Sequence, residues 1–195
     1  VTGSIVAKAI HADMYENWTD VSGMLVTDPR IVENPEVIET VTYKELRELA
    51  YMGASVLHED AIFPVRKEGI PINIRNTNAP DEPGTMIVPD STDEELSAYT
   101  ITGIAGKKDF TSINIHKDLM NSQIGFCRDV LNVLSEHQIP LEHMPSSIDS
   151  MTVIVDSAHL NGLEDEIRTE IIKAVQPDSI ETEDGIALIA VVGRG

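Results

Sequence analysis

Residues 111–192 read as strand, helix, strand, strand, helix, strand, and no other feature narrows the available folds as much. Thr111 to His116 alternates, with Ile113 and Ile115 on one side. Phe126, Val130, Val133, Leu134 and His137 recur at helical spacing after a break at Gly125. Ile139 to His143 and Met151 to Asp156 are expected as two strands joined by the polar loop Pro145 to Ser150. Gly162 to Val175 is an amphipathic helix with Leu163, Ile167, Ile171 and Ala174 aligned. Glu164, Asp165 and Glu166 sit at its start, where the helix dipole favours negative charge. Ile186 to Val192 closes the series as an unbroken apolar strand. The order is that of a ferredoxin-like βαββαβ module, a topology that hosts many unrelated functions.

The first half has a different rhythm. Ser4 to Met14 reads as a helix with Ile5, Ala9 and Ala12 on one stripe, followed by a short strand into Thr19. Thr42 to Tyr51 reads as a second helix: Thr42 is a capping candidate, Glu45 completes a capping box, and Leu46, Leu49 and Ala50 face inward. His58 to Lys67 is expected as a third helix, and Ile70, Ile72 and Ile74 alternate as a strand. Helices alternating with strands predict an α/β layer structure. Residues 78–97 form the expected linker, with turn chemistry at Ala79 to Gly84, one short strand at Met86 to Val88, and a charged run from Asp90 to Glu95.

Composition excludes several classes of function. A net charge of −19, from 33 acidic and 14 basic residues, opposes binding to nucleic acid or an anionic membrane. No run approaches the roughly 20 apolar residues of a membrane span. One cysteine, Cys127, cannot form an internal disulfide, which fits a reducing, cytoplasmic setting. It falls in a predicted helix and is expected to pack. His11, His58, His116, His137, His143 and His159 show no metal-ligand spacing, so no metal site is expected. Met120, Met144 and Met151 read as core fillers, and Trp18 is expected to pack beside the first polar loop.

Two polar, turn-rich segments, Trp18 to Arg30 and Glu48 to His58, carry the chemistry, the second nearly free of charge. Thr19-Asp20-Val21-Ser22-Gly23 is followed by Thr27-Asp28-Pro29-Arg30, with Gly23 permitting a tight turn and Pro29 fixing the backbone before a cation. A hydroxyl, a carboxylate and a guanidinium on adjoining loops suit a nucleotide better than an apolar ligand. These loops resemble the nucleotide-binding loop of the amino-acid kinase superfamily. Thr42 to Ala50, Gly53-Ala54-Ser55-Val56-Leu57-His58, and Gly69 to Thr77 closed by Pro83-Gly84-Thr85 narrow the resemblance to the aspartate kinases. Beside those motifs the ferredoxin-like half resembles the ACT regulatory domain of the same enzymes.

The resemblance implies a fold, an activity and two sites. The fold is the C-terminal part of an αβα kinase sandwich in residues 1–97, then an ACT domain in residues 98–195 whose last strand leads into a second ACT unit. The activity is phosphorylation of L-aspartate by ATP with Mg²⁺, giving 4-phospho-L-aspartate on the way to lysine, threonine and methionine. By motif position Thr19, Asp20, Leu25, Arg30, Ser55 and Val56 line the ATP site. Many relatives place tyrosine where Leu25 stands. The lysine-bearing glycine-rich strand and the aspartate-binding residues are expected upstream of Val1, so no catalytic residue is assigned here and the chain alone is expected to be inactive.

The same resemblance places an effector, lysine or threonine or both, at Met120, Ser122, Gln123, Ile124, Gly125, Leu141, Glu142, Ser146 and Ser147. Backbone N–H groups at the helix start suit its carboxylate, and Glu142 with the serine hydroxyls suits its ammonium group. ACT units imply a homodimer or larger assembly. Two other readings stay open: a non-catalytic amino-acid-sensing subunit, which the retained Thr19-Asp20 and Asp28-Pro29-Arg30 disfavour, and a glutamate or uridylate kinase, which Gly53 to His58 disfavours.

Overall fold

The computed structural model describes residues 1–54, 57, 59–89 and 100–193. The chain divides into two compact units, Val1–Lys107 with Ile189–Gly195, and Lys108–Leu188. In chain order the first unit holds α1 (Thr2–Ala9), β1 (Tyr15–Thr19), β2 (Met24–Leu25), β3 (Val37–Ile38), β4 (Thr40–Thr42), α2 (Tyr43–Tyr51), α3 (Glu59–Lys67), β5 (Ile72–Asn76) and β6 (Thr85–Val88). Then come β7 (Ile101–His116), a single 3-10 turn at Met120–Ser122, α4 (Phe126–Glu136), β8 (Ser150–Asp156), α5 (Ser157–Leu160), α6 (Glu164–Val175) and β9 (Ser179–Gly193). The architecture is mixed α/β. No helix among the described residues is long and apolar enough to cross a membrane.

The first unit is built on a four-stranded sheet in the order β1-β5-β6-β4. β1 pairs parallel with β5, β5 antiparallel with β6, and β4 parallel with β6. Val41, Val65, Ile72, Ile74 and Ile87 lose all solvent contact, and Leu46 and Leu49 of α2 retain 1%. Each such side chain contributes about 1.5–3 kcal/mol on burial. The Ile70, Ile72, Ile74 alternation lies in this core as expected. So does the capping box of α2, where Thr42 accepts from the Glu45 N–H and Glu45 accepts from the Thr42 N–H at 2.8 Å.

Thr85 fastens a second, two-stranded sheet of β2 and β3 to this frame. Its buried hydroxyl accepts from the Met24 N–H at 2.7 Å and donates to the Ile38 carbonyl at 2.6 Å. Gly84, just before it, turns with φ +73° directly over the Ile74 carbonyl, where a Cβ would overlap the oxygen. Gly23 (φ +115°) packs on Thr85 from the other side, with room for no Cβ beyond 2.5 Å from its hydroxyl.

Tyr43 contributes a further buried polar anchor, donating its phenol to the Ile70 carbonyl. Burial pushes the phenol pKa up to about 12, against a smaller opposing effect of the Arg66 charge. The folded state therefore holds the proton more tightly than the unfolded chain, whose tyrosines titrate near 10. The resulting stability is fully present below pH 10 and falls as pH rises toward 12, by on the order of 2 kcal/mol. In Tyr43→Phe the alkaline loss in chemical-denaturation stability should be smaller by that amount. Equal slopes in the two proteins would refute the assignment.

The second unit is a three-stranded sheet, β8-β7-β9, covered by α4 and α6. β7 and β8 are antiparallel, from Phe110↔Asp156 to His116↔Ser150. Val130, Val153, Val155, Ile167 and Ile171 are fully buried among Phe126, Leu134 and Met151.

Several sequence expectations are corrected here. α1 ends at Ala9 because His11 takes a left-handed conformation (φ 52°) and the Ala12 N–H returns to the Ala7 carbonyl. Its inward face is Ser4 and Ala7, while Ile5 and Ala9 are exposed. The close face suits small residues, since Gly3 lies against the Tyr15 ring. Residues 139–143 form no strand. The Ile139 N–H is used to close α4 on the Leu134 carbonyl, after Gln138 at φ 57°, and Pro140 has no N–H to offer. The isolated bridges His143↔Ile154 and Ser146↔Met151, with backbone bonds from Glu142 and to Pro145, tie this stretch to β8 without forming a strand. On α6, Val175 rather than Ala174 completes the buried stripe. β7 and β9 are longer than expected, beginning at Ile101 and Ser179. The predicted start of α3 at His58 and the whole charged run from Asp90 to Glu95 fall outside the described residues.

Candidate functional site

The polar loop after β1 sits at the carboxyl end of a parallel strand pair, the end at which α/β sheets gather ligands. Thr19 is the last residue of β1, and its hydroxyl lies 3.2 Å from Asp20 Oδ1. The Thr19 carbonyl accepts from both the N–H (2.8 Å) and the hydroxyl (2.9 Å) of Thr77, just past β5. Asn76 donates its amide to the Ser22 hydroxyl at 2.8 Å. The loops following β1 and β5 are thereby held as one rim, with the Thr19 and Asp20 side chains left toward solvent. Trp18 is 43% exposed, its indole N–H on Glu16 and its ring under the Arg75 guanidinium at 5.1 Å.

Arg30 is set by its own turn. Asp28 caps the turn by accepting the Arg30 N–H at 2.8 Å, while its carbonyl takes the N–H groups of Ile31 and Val32. Its carboxylate also receives Arg30 Nε at 3.0 Å and Nη2 at 2.6 Å. This guanidinium, by side-chain bond first and backbone bond second, holds the Asp28 pKa down to about 2, and Asp28 in turn raises that of Arg30. Of five guanidinium N–H donors, the fork on Asp28 takes two. The rest face solvent on a side chain 87% exposed, oriented rather than neutralised out of use. A phosphate group fits such a cation. Leu25 lies in β2, half-buried and paired with Val37. Ser55 and Val56 lie outside the described residues.

In the second unit, two segments far apart in sequence are tied together by a residue that motif reading did not single out. Asp149 accepts the Leu119 N–H on its carboxylate and the Lys117 N–H on its carbonyl, both at 2.8 Å. The Asn121 N–H reaches the Ile148 carbonyl at 3.1 Å. The loop into α4 is thus pinned to the turn that carries Ser146 and Ser147, both exposed, with the Ser147 N–H on the Ser150 carbonyl. Met120 is buried beneath the 3-10 turn, whereas Ser122, Gln123 and Ile124 are exposed, Ile124 at 98%. Gly125 caps α4 at φ 87°, with Arg128 folded against it and paired to Asp129. Leu141 is exposed, and the Glu142 N–H bonds the Ile154 carbonyl, so Glu142 flanks β8. The sequence signal for Asp149 was present, an aspartate in a serine-rich turn, but its partners lie some thirty residues away.

Similarity to known proteins extends over both units of the chain. Residues 1–76 match the amino acid kinase family. Aspartokinase 3 of Bacillus subtilis (strain 168) is 42% identical over 195 residues, covering 100% of this chain and 42% of the relative. The crystal structure of Clostridium acetobutylicum aspartate kinase superposes with a TM-score of 0.90 at 56% identity, over 98% of this chain and 44% of that one. E. coli aspartokinase III in complex with lysine and aspartate gives 0.72 at 27% identity, over 98% and 42%. The chain thus spans less than half the length of the relatives it matches, and almost all of its own length is accounted for by them. Over its whole length the chain is thus similar to one part of these aspartokinases, and over residues 1–76 to the amino acid kinase family.

Proposed function

We propose that this chain supplies part of an aspartokinase that transfers the γ-phosphoryl group of ATP to L-aspartate, giving 4-phospho-L-aspartate, under feedback by an amino acid. The observation that carries this reading is the 0.90 TM-score at 56% identity to an aspartate kinase across nearly the whole chain. Residues 1–97 are read as the C-terminal part of the catalytic domain. Residues 98–195 are read as an ACT regulatory domain, with its last strand leading into a second such unit and with pairing of ACT units between subunits. A cytoplasmic location is part of the same reading.

Phosphoryl transfer asks the protein for alignment and charge neutralisation more than for covalent chemistry. The chain's own contribution is to bind: Thr19 and Asp20 at the strand end take the nucleoside side, and Arg30, aimed by Asp28, takes the phosphates. Leu25, Ser55 and Val56 complete the wall. Mg²⁺ bound with ATP would neutralise the phosphate oxygens. In the whole enzyme, Arg30→Ala should raise the KM for ATP by about tenfold or more, the value of one charge-assisted bond, with a smaller change in that for aspartate. ADP release that does not depend on L-aspartate would sink the activity. An unchanged KM for ATP in the variant would sink only the loop assignment.

The effector is read as lysine or threonine or both, held by the loop from Met120 to Gly125 and by Leu141, Glu142, Ser146 and Ser147. Support comes from the pinning of those two segments by Asp149. Calorimetry of the whole enzyme with each amino acid should show saturable heat for at least one, weakened about tenfold or more in Glu142→Gln. Heat unaffected by that substitution would move the site elsewhere.

A further inference from the structure

A second cluster in the Lys108–Leu188 unit carries chemistry that neither site uses. His137 follows α4 directly, and Glu166 and Glu170 lie one turn apart on the same face of α6. One ligand-type atom from each of the three lies within 4.8 Å of the others, and His137 Nε2 is 2.8 Å from Glu170 Oε2. The cluster is rigidly mounted. Val133 and Leu134 bury the end of α4, and Ile167 and Ile171 bury α6 on either side of the glutamates. We propose that His137, Glu166 and Glu170 form a binding site for a zinc-class divalent cation that fastens α4 to α6.

The donor set fixes the class of ion. One imidazole and two carboxylates suit Zn²⁺ and its neighbours, whereas Mg²⁺ and Ca²⁺ call for oxygen ligands alone. A tetrahedral ion with bonds of about 2.0–2.2 Å spaces its ligands about 3.3–3.5 Å apart. The observed separations, 2.8 Å for His137–Glu170 and no more than 4.8 Å within the cluster, bracket that value. Three protein ligands leave the remaining position to water.

The surroundings also favour a cation. The carboxylates of Glu170, Glu166 and Glu136 all act on the His137 ring. An open groove of about 410 Å³ is lined, among the described residues, by Glu170, Asp129 and Glu136 together with Lys173. The other such cluster among the described residues, His116, Asp118 and Asp178, lacks these conditions. The Lys117 ammonium stands 4.0 Å from Asp178, and Asp178 already accepts the Asp118 N–H at 2.7 Å.

The test is calorimetry of the chelator-treated 195-residue chain with ZnCl2 near neutral pH, with MgCl2 as comparison. One equivalent of zinc should bind saturably and raise the melting temperature, and magnesium should not compete. Glu166→Gln, which keeps the His137–Glu170 bond, should leave the metal-free melting temperature unchanged and weaken zinc at least about tenfold. His116→Gln should bind as the parent does. Substituting Co²⁺ should give visible bands that disappear in His137→Gln. Absence of saturable binding, binding undiminished in Glu166→Gln, or binding lost in His116→Gln would each overturn the site.

Discussion

Gly84→Ala should cost the Val1–Lys107 unit about 4 kcal/mol or more, enough to lower its melting transition by roughly 15–25 °C or abolish soluble expression. Two effects add. The left-handed backbone at φ +73° costs an L-residue about 1–2 kcal/mol. The added methyl then meets the Ile74 carbonyl, an oxygen fixed inside the sheet that pairs β5 with β6. Neither partner can yield without opening the ladder from Ile72↔Ile87 to Ile74↔Thr85. Differential scanning calorimetry resolves the outcome, because the transition of the Lys108–Leu188 unit should stay where it is. A variant that melts within about 2 °C of the parent would show that the turn relaxes at little cost.

Glu45→Ala is expected to cost nearly as much, about 3 kcal/mol, for a different reason. Glu45 is only 5% exposed, yet its carboxylate is the meeting point of two distant segments. One oxygen accepts from the Thr42 N–H and hydroxyl, and the other from the Thr102 hydroxyl, 57 residues on. Removing it leaves two buried hydroxyls and a helix N-terminal N–H to find new partners. Glu45→Gln keeps the shape and one acceptor, and hydroxyls can rotate to accept from the new amide, so its cost should stay near 1 kcal/mol. Equal losses in the two variants, measured by urea denaturation, would mean that the charge rather than the hydrogen-bond pattern matters.

What the sequence revealed and what it hid divide along the range of the interactions. The capping box at Thr42 and Glu45 spans three residues and was read directly, as were the alternation of Ile70, Ile72 and Ile74 and the stripe Phe126, Val130, Val133 and Leu134. Helix ends were harder, because single left-handed residues decide them. His11 and Gln138 carry no compositional mark of that role. The false strand at 139–143 follows from the same cause, since an apolar, alternating run had its first N–H taken by a helix end. The third bond of Glu45, the two bonds of Thr85 and the double role of Asp149 are long-range, and no local pattern announces them. In the candidate sites the residue types could be read from the sequence, but the orientation of Arg30 by Asp28 and the pinning of the loop at residues 120–125 could not.

Thr85 also bears on the order of events as the chain is made. β2 and β3 have two residues each, too few to persist as an isolated hairpin. The hydroxyl that holds them bonds Met24 across 61 residues and Ile38 across 47. During synthesis the turn bearing Asp28 and Arg30 therefore remains unfastened until β6 has left the ribosome, and protease sensitivity in that stretch should vanish only in nascent chains that extend past it.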